Sequence, residues 1–139
     1  MIPTHLRPKD LDQYSKGTIA EHLEIKFTGL GSDWIQAQMP VSNRTRQPHG
    51  ILHGGASVVL AETLGSVGSQ LIINEKDFRA AGLEINANHV RSISSGTVSG
   101  LAKIVHAGRS THIWDIRITD ESDNLLCISR LTVAILKVS

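Results

Sequence analysis

Between Gly54 and Ile73, apolar residues recur at helical spacing: Leu60, Leu64, Val67 and Leu71 fall at i, i+4, i+7 and i+11. The pattern predicts one long helix with a core-facing stripe. Gly, Ser, Thr, Gln and a central Glu62 dilute the segment too far for a membrane-spanning helix. Past residue 80 the pattern shifts to β-branched residues in partial alternation, predicting strands over 81–91, 97–106, 111–119 and 125–136. Ahead of the long helix, residues 22–28 and 33–39 predict a hairpin around Gly29-Leu30-Gly31, ended by Pro40. Residues 8–16 predict a short polar helix stopped by Gly17, and 43–48 a polar loop. A helix apolar on most sides needs a wrapper, so the expected class is α+β, an antiparallel sheet around a single helix. No repeat or linker interrupts this order, and 1–139 reads as one domain.

Charge narrows the function. The 14 Lys and Arg against 13 Asp and Glu give a net +1, with no run of like charge. That balance argues against a nucleic-acid surface, and few aromatics remain for base stacking. A small anionic ligand held by two or three local cations fits better. The lone Cys127 rules out an internal disulfide and any multi-cysteine metal site. It fits a reducing compartment, and residues 1–5 carry no apolar signal core, so a cytoplasmic location is expected.

The chemistry concentrates at the long helix. From Gln47 to Asn74 the only permanently ionisable acid is Glu62, and there is no Lys or Arg. A carboxylate among Leu60, Ala61 and Leu64 must be paired, neutralised or retained for use. His53-Gly54-Gly55 places no Ser, Thr, Asp or Asn before the helix, which predicts free first-turn amides suited to a developing oxyanion. Gly54 and Glu62 lie about 12 Å apart along a helix, too far to touch one reacting carbon within a chain. A shared site therefore needs two chains with antiparallel helices, and the stripe Gly55, Glu62, Gly65, Ser66 and Ser69 is small enough to permit close approach. Ser66, one turn beyond Glu62, can hold a water or the carboxylate, and Gln47 and His53 can donate to a substrate carbonyl. Pro48 and Gly50 keep His49 and His53 off a common helical face, which argues against a metal pair. Cys127, within Leu125-Leu126-Cys127-Ile128, reads as a small buried side chain. On the strand after the helix, Leu83, Ile85, Ala87, His89 and Arg91 share a face that begins apolar and ends cationic. Arg109-Ser110-Thr111 offers a second anion contact.

Two runs carry a family resemblance: Pro48-His49-Gly50-Ile51-Leu52-His53-Gly54-Gly55-Ala56-Ser57-Val58-Val59-Leu60-Ala61-Glu62 with Gly65-Ser66, and Gly82-Leu83-Glu84-Ile85-Asn86-Ala87-Asn88-His89-Val90-Arg91-Ser92. Both resemble the hotdog-fold acyl-CoA thioesterases, and among these the bacterial 1,4-dihydroxy-2-naphthoyl-CoA hydrolases of menaquinone synthesis. The resemblance implies an acyl-CoA substrate and no metal or cofactor. It implies Glu62 as catalytic carboxylate, the Gly54 amide as oxyanion donor, Gln47 and His53 orienting the thioester, and Ser66 assisting the hydrolytic water. It also implies coenzyme A contacts at His89, Arg91, Arg109, Ser110 and Thr111, a homodimer as the active unit, and pairing of dimers into tetramers. His49 stands where the pattern leads one to expect an apolar or aromatic residue. Two other functions remain open on the residues: a dehydratase using His49 and Glu62 as acid and base, and a non-catalytic acyl-CoA-binding module.

Overall fold

The computed structural model describes residues 1–138. Its frame is a six-stranded antiparallel sheet in the order β1-β2-β4-β5-β6-β3, with the long helix α2 (Gly54–Ile72) lying across one face. The strands are β1 (Lys26–Leu30), β2 (Trp34–Pro40), β3 (Phe78–His89), β4 (Thr97–Ala107), β5 (Thr111–Thr119) and β6 (Leu125–Lys137). Because β2 and β3 lie far apart in the sheet, the chain must cross its full width between them. The crossing element is α2. This is the hotdog fold, and its class is α+β.

The helix buries the face that the periodicity picks out. Leu60, Ala61 and Leu64 are wholly buried and Val67 nearly so, whereas Leu71 is only partly covered. Opposite them stand Ile35, Ala37 and Met39 of β2, Val98 of β4, Trp114, Ile116 and Ile118 of β5, and Leu131 and Val133 of β6. Glycines set how closely helix and sheet approach. A Cβ on Gly68 would fall 2.5 Å from the Trp114 ring, and one on Gly65 2.5 Å from Leu131 Cδ2. Here the sequence expectation is corrected. Gly65 and the buried Ser69 face the sheet, so they do not belong to a helix–helix seam; the indole of Trp114 fills the space beside them.

Three local expectations also shift. The segment 8–16 forms a 3-10 helix, Pro8–Tyr14, anchored by one buried side chain, Leu11, and by the Arg7 amide donating to Asp10 at 2.8 Å. Residues 19–22 form a single helical turn, α1 (Ile19–His22), because the Thr18 hydroxyl accepts from the Ala20 amide. The first strand therefore starts at Lys26, after Glu24 has taken a left-handed conformation at φ 60°. The hairpin tip lies at 31–33, closed by the Gly31 amide on the Trp34 carbonyl, while Gly29 and Leu30 stay in the strand.

The strand β3 departs from simple alternation. Its register against β6 slips between Gly82 and Glu84, leaving Leu83 as the extra residue of a bulge. Leu83 is thrown outward and is 68% exposed, whereas Ile85 and Ala87 pack against the core. Arg91 lies beyond the end of the strand. The predicted common face therefore holds from Ile85 to His89 only.

Candidate active site

The helix start is not as bare as its sequence suggests. The His53 side chain caps it, with Nδ1 accepting from the Gly55 amide at 2.7 Å. The Ala56 and Ser57 amides donate to the His53 carbonyl at 3.0 and 3.3 Å. One first-turn donor is left: among the described residues no acceptor takes the Gly54 amide. A single free N–H at the positive end of a helix suits a developing negative charge.

Around that amide lies a cleft of about 380 Å³, bordered by Gln47, Gly54, Ser57, His89 and Arg91 over an apolar floor. Gln47 is set by a tight turn: its carbonyl accepts from the Gly50 amide at 2.9 Å, and Gly50 takes φ 83°. Its Oε1 accepts from the His49 amide, which leaves the side-chain NH2 as the free donor. His89 lies closest to the helix start; a Cβ on Gly54 would sit 2.8 Å from His89 Nε2. Ser57 is buried at the cleft wall. Sequence reading passed over Ser57; its position three residues after Gly54, on the same helical face, was the signal available.

Glu62 and Ser66 line a different hollow, about 300 Å³, with Val59, Thr63 and Ile19. Glu62 is half-buried and carries no ion pair or hydrogen bond among the described residues. Its carboxylate lies over β3 at Gly82, where a Cβ would approach Oε2 to 2.6 Å. The absent side chain makes that seat. His49 is exposed on the 47–51 turn, and it shares no hollow with Glu62.

A third hollow, about 900 Å³, opens past the C-terminal end of α2. Arg109 and Ser110 border it, with Ile72, Phe78 and Lys137. Thr111 opens β5 beside it, its carbonyl accepting from the Gly108 amide at 2.8 Å. The buried His112 reaches the same groove. Its Nδ1 lies 2.9 Å from Ser69 Oγ, which also accepts from Trp114 Nε1 at 2.8 Å. Burial first, then the charge of His106, holds the His112 pKa below its ordinary 6.5. The alternation His112, Trp114, Ile116, Ile118 places this histidine on the inner face, a signal present in the sequence but not used.

Within one chain, then, Gln47, Gly54, His89 and Arg91 come together, Glu62 and Ser66 form a second group, and Arg109 and Ser110 a third. Among the described residues no three His, Cys, Asp or Glu side chains are grouped to hold a metal, and no helix is long and apolar enough to cross a membrane.

A helix held against a hotdog sheet, with a free amide at its start and an unpaired acid at mid-length, defines a thioesterase architecture. Comparison with known proteins agrees: residues 49–127 match the Thioesterase superfamily, and the chain belongs to that family. It is 50% identical over 126 residues to the 1,4-dihydroxy-2-naphthoyl-CoA hydrolase of Escherichia coli K12, covering 91% of this chain and 92% of that one. It is 46% identical over 132 residues to the proofreading thioesterase EntH of Cronobacter sakazakii, covering 95% and 96%. A crystal structure of a mutant of thioesterase PA1618 from Pseudomonas aeruginosa superposes with a TM-score of 0.95 at 42% identity, over 99% of both chains.

Proposed function

We infer that the protein hydrolyses aromatic or other hydrophobic acyl-CoA thioesters, releasing free acid and coenzyme A from a site shared by two protomers. One observation carries this reading. The free Gly54 amide stands over one end of β3, at His89, and the unpaired Glu62 carboxylate lies over its middle, at Gly82. β3 is an edge strand of 12 residues with only β6 as neighbour, so its outer backbone groups await a partner. Antiparallel pairing with its own copy is the symmetric solution. Because Ile85, Ala87 and His89 share one face, the two-fold must pass through a residue. An axis at Asn86 sets the Gly82–Leu83 bulge opposite the partner's His89, and so brings Glu62 to face the partner's Gly54.

In that arrangement the thioester oxygen rests on the Gly54 amide, polarised by the helix dipole, with Gln47 donating its free NH2 and His53 holding the helix start. Glu62 of the other protomer attacks the thioester carbon to give an anhydride that water then hydrolyses, or takes a proton from water at Ser66 as that water attacks the carbon. The thiolate of coenzyme A leaves. The same pairing sets the partner's Arg91 opposite Ala81, three residues from Phe78 at the groove of Arg109 and Ser110, so cations from both chains approach the phosphates.

The decisive variant is Glu62→Gln, which keeps the shape and removes the base. Folded dimers whose turnover is at least roughly a hundredfold lower are expected; near-normal turnover would refute the role. The naphthoyl-CoA hydrolase among the relatives makes 1,4-dihydroxy-2-naphthoyl-CoA, and with it menaquinone synthesis, the first substrate to try. The proofreading thioesterase is nearly as similar, which makes general clearance of mischarged acyl thioesters the alternative. A thiol-detecting assay over naphthoyl, benzoyl and medium-chain aliphatic esters separates them. We further place the enzyme in the cytoplasm, as its single, unpaired Cys127 favours, and its dimers in tetramers, as exposed Leu101, Val105 and Leu136 favour.

A further inference from the structure

The geometry points to His89 as a residue that contacts the thioester itself, rather than an anchor for the charged nucleotide end of coenzyme A. This rests on the thioesterase reading above and goes beyond it. His89 lies at the cationic end of β3, where a basic side chain is most simply read as a phosphate contact. Its ring, although exposed, leans onto the helix start. Nε2 would stand only 2.8 Å from a Cβ on Gly54, with Cε1 and Cδ2 at 3.2 and 3.3 Å, so the imidazole edge rests on the very glycine whose amide is free. A Cβ at position 54 would meet this ring and displace it. No residue of the chain bonds either imidazole nitrogen among the described residues, so Nε2 is available to a ligand on the cleft side. Arg91, two residues further and beyond the strand, is the side chain free to follow a phosphate.

In the paired assembly the same ring lies across from Gly82, over which the other protomer's Glu62 is seated. His89 is thus positioned between the two halves of the site, where an Nε2–H donor can share the carbonyl oxygen with the Gly54 amide. The oxyanion then has one donor from backbone and one from a side chain.

Truncating the substrate separates the two roles. An acyl thioester of N-acetylcysteamine keeps the thioester and lacks the nucleotide and its phosphates. With the wild type measured on both this compound and the matching acyl-CoA, His89→Ala is expected to lower kcat by about a hundredfold on each, a loss typical of one oxyanion donor. Arg91→Ala is expected to raise KM for the acyl-CoA and leave the truncated substrate unchanged. His89→Phe keeps the ring that rests on Gly54 and removes both nitrogens, so its kcat should fall as in His89→Ala. It also serves should the alanine variant fail to fold. A His89 loss seen only with acyl-CoA, and as KM, would overturn the inference and return the residue to the nucleotide. Equal kcat for wild type and His89→Phe on the truncated substrate would overturn it as well. A wild type that releases thiol from neither substrate would instead overturn the thioesterase reading on which the inference stands.

Discussion

The two ends of the sheet's longest ladder contrast sharply. On one side of β6, strand β5 presents Trp114, Ile116 and Ile118 to the helix, all wholly buried, and the indole N–H is satisfied by Ser69. On the other side, β3 is only one residue shorter than β6 but exposes Leu83, bulges at its centre and leaves one edge unpaired. The first region is paired on both sides, and the second keeps a free edge. Three of the groups proposed to meet the thioester, Gly54, Glu62 and His89, are seated on or against β3. The division teaches that folding and chemistry draw on different strands: β5 and β6 hold the helix down, while β3 sets what its outer face will meet.

The comparison can be broken most strongly at Trp114. Trp114→Ala removes the side chain against which Gly65 and Gly68 pack, and a loss of about 3–5 kcal/mol is expected by chemical denaturation. Glu62→Gln, on the other side of the helix, should leave the same denaturation curve in place while turnover disappears. A smaller effect is expected from Ser69→Ala, which leaves the Trp114 N–H and His112 Nδ1 without their partner, at about 1–3 kcal/mol.

Acid should expose the same network. His112 has its pKa lowered in the fold, so below the ordinary 6.5 the unfolded chain binds a proton that the folded chain refuses. The stability present above that pH is then lost progressively on acidification, and His112→Phe should flatten this part of a pH–melting curve. The smallest effect on stability, and the sharpest test of β3, is Asn86→Cys. Asn86 is exposed at the proposed two-fold, where facing Cβ atoms about 4.5–5.5 Å apart can be bridged. Mild oxidation should give a covalent dimer of unchanged stability on non-reducing gels, while the buried Cys127 stays unreacted.

Much of this was legible from residue spacing. The helix begins at Gly54 as its glycine pair and periodicity require, and it ends within a residue of the expected position. The last three strands fall within a residue of the expected bounds, while β3 starts and ends earlier than the expected 81–91. The misreadings share a cause. Gly65 and Ser69 were placed on a helix–helix seam because a helical wheel says which residues are small, not which large side chain fills the gap; Trp114, 45 residues beyond Ser69, decides it. The outward swing of Leu83 comes from a bulge set by pairing with β6, invisible to a period-two count. His53 reads equally as a substrate donor or as a residue satisfying local backbone, and only the ring geometry shows Nδ1 on the Gly55 amide. For the site, residue types were legible, but their grouping was not: Arg91 and Arg109 look alike in sequence and border different hollows.

The separation of the Gly54 cleft from the Glu62 hollow carries a genetic consequence. Glu62→Gln spoils the acid, and Gly54→Pro removes the amide at a first helical position that accepts proline. Each variant alone should be dead as a homodimer. Co-expressed, they should recover about a quarter of normal activity, because half the random pairs are mixed and each mixed pair holds one intact centre. Two defective alleles would then complement one another in the same cell, which no enzyme complete within a single chain could do.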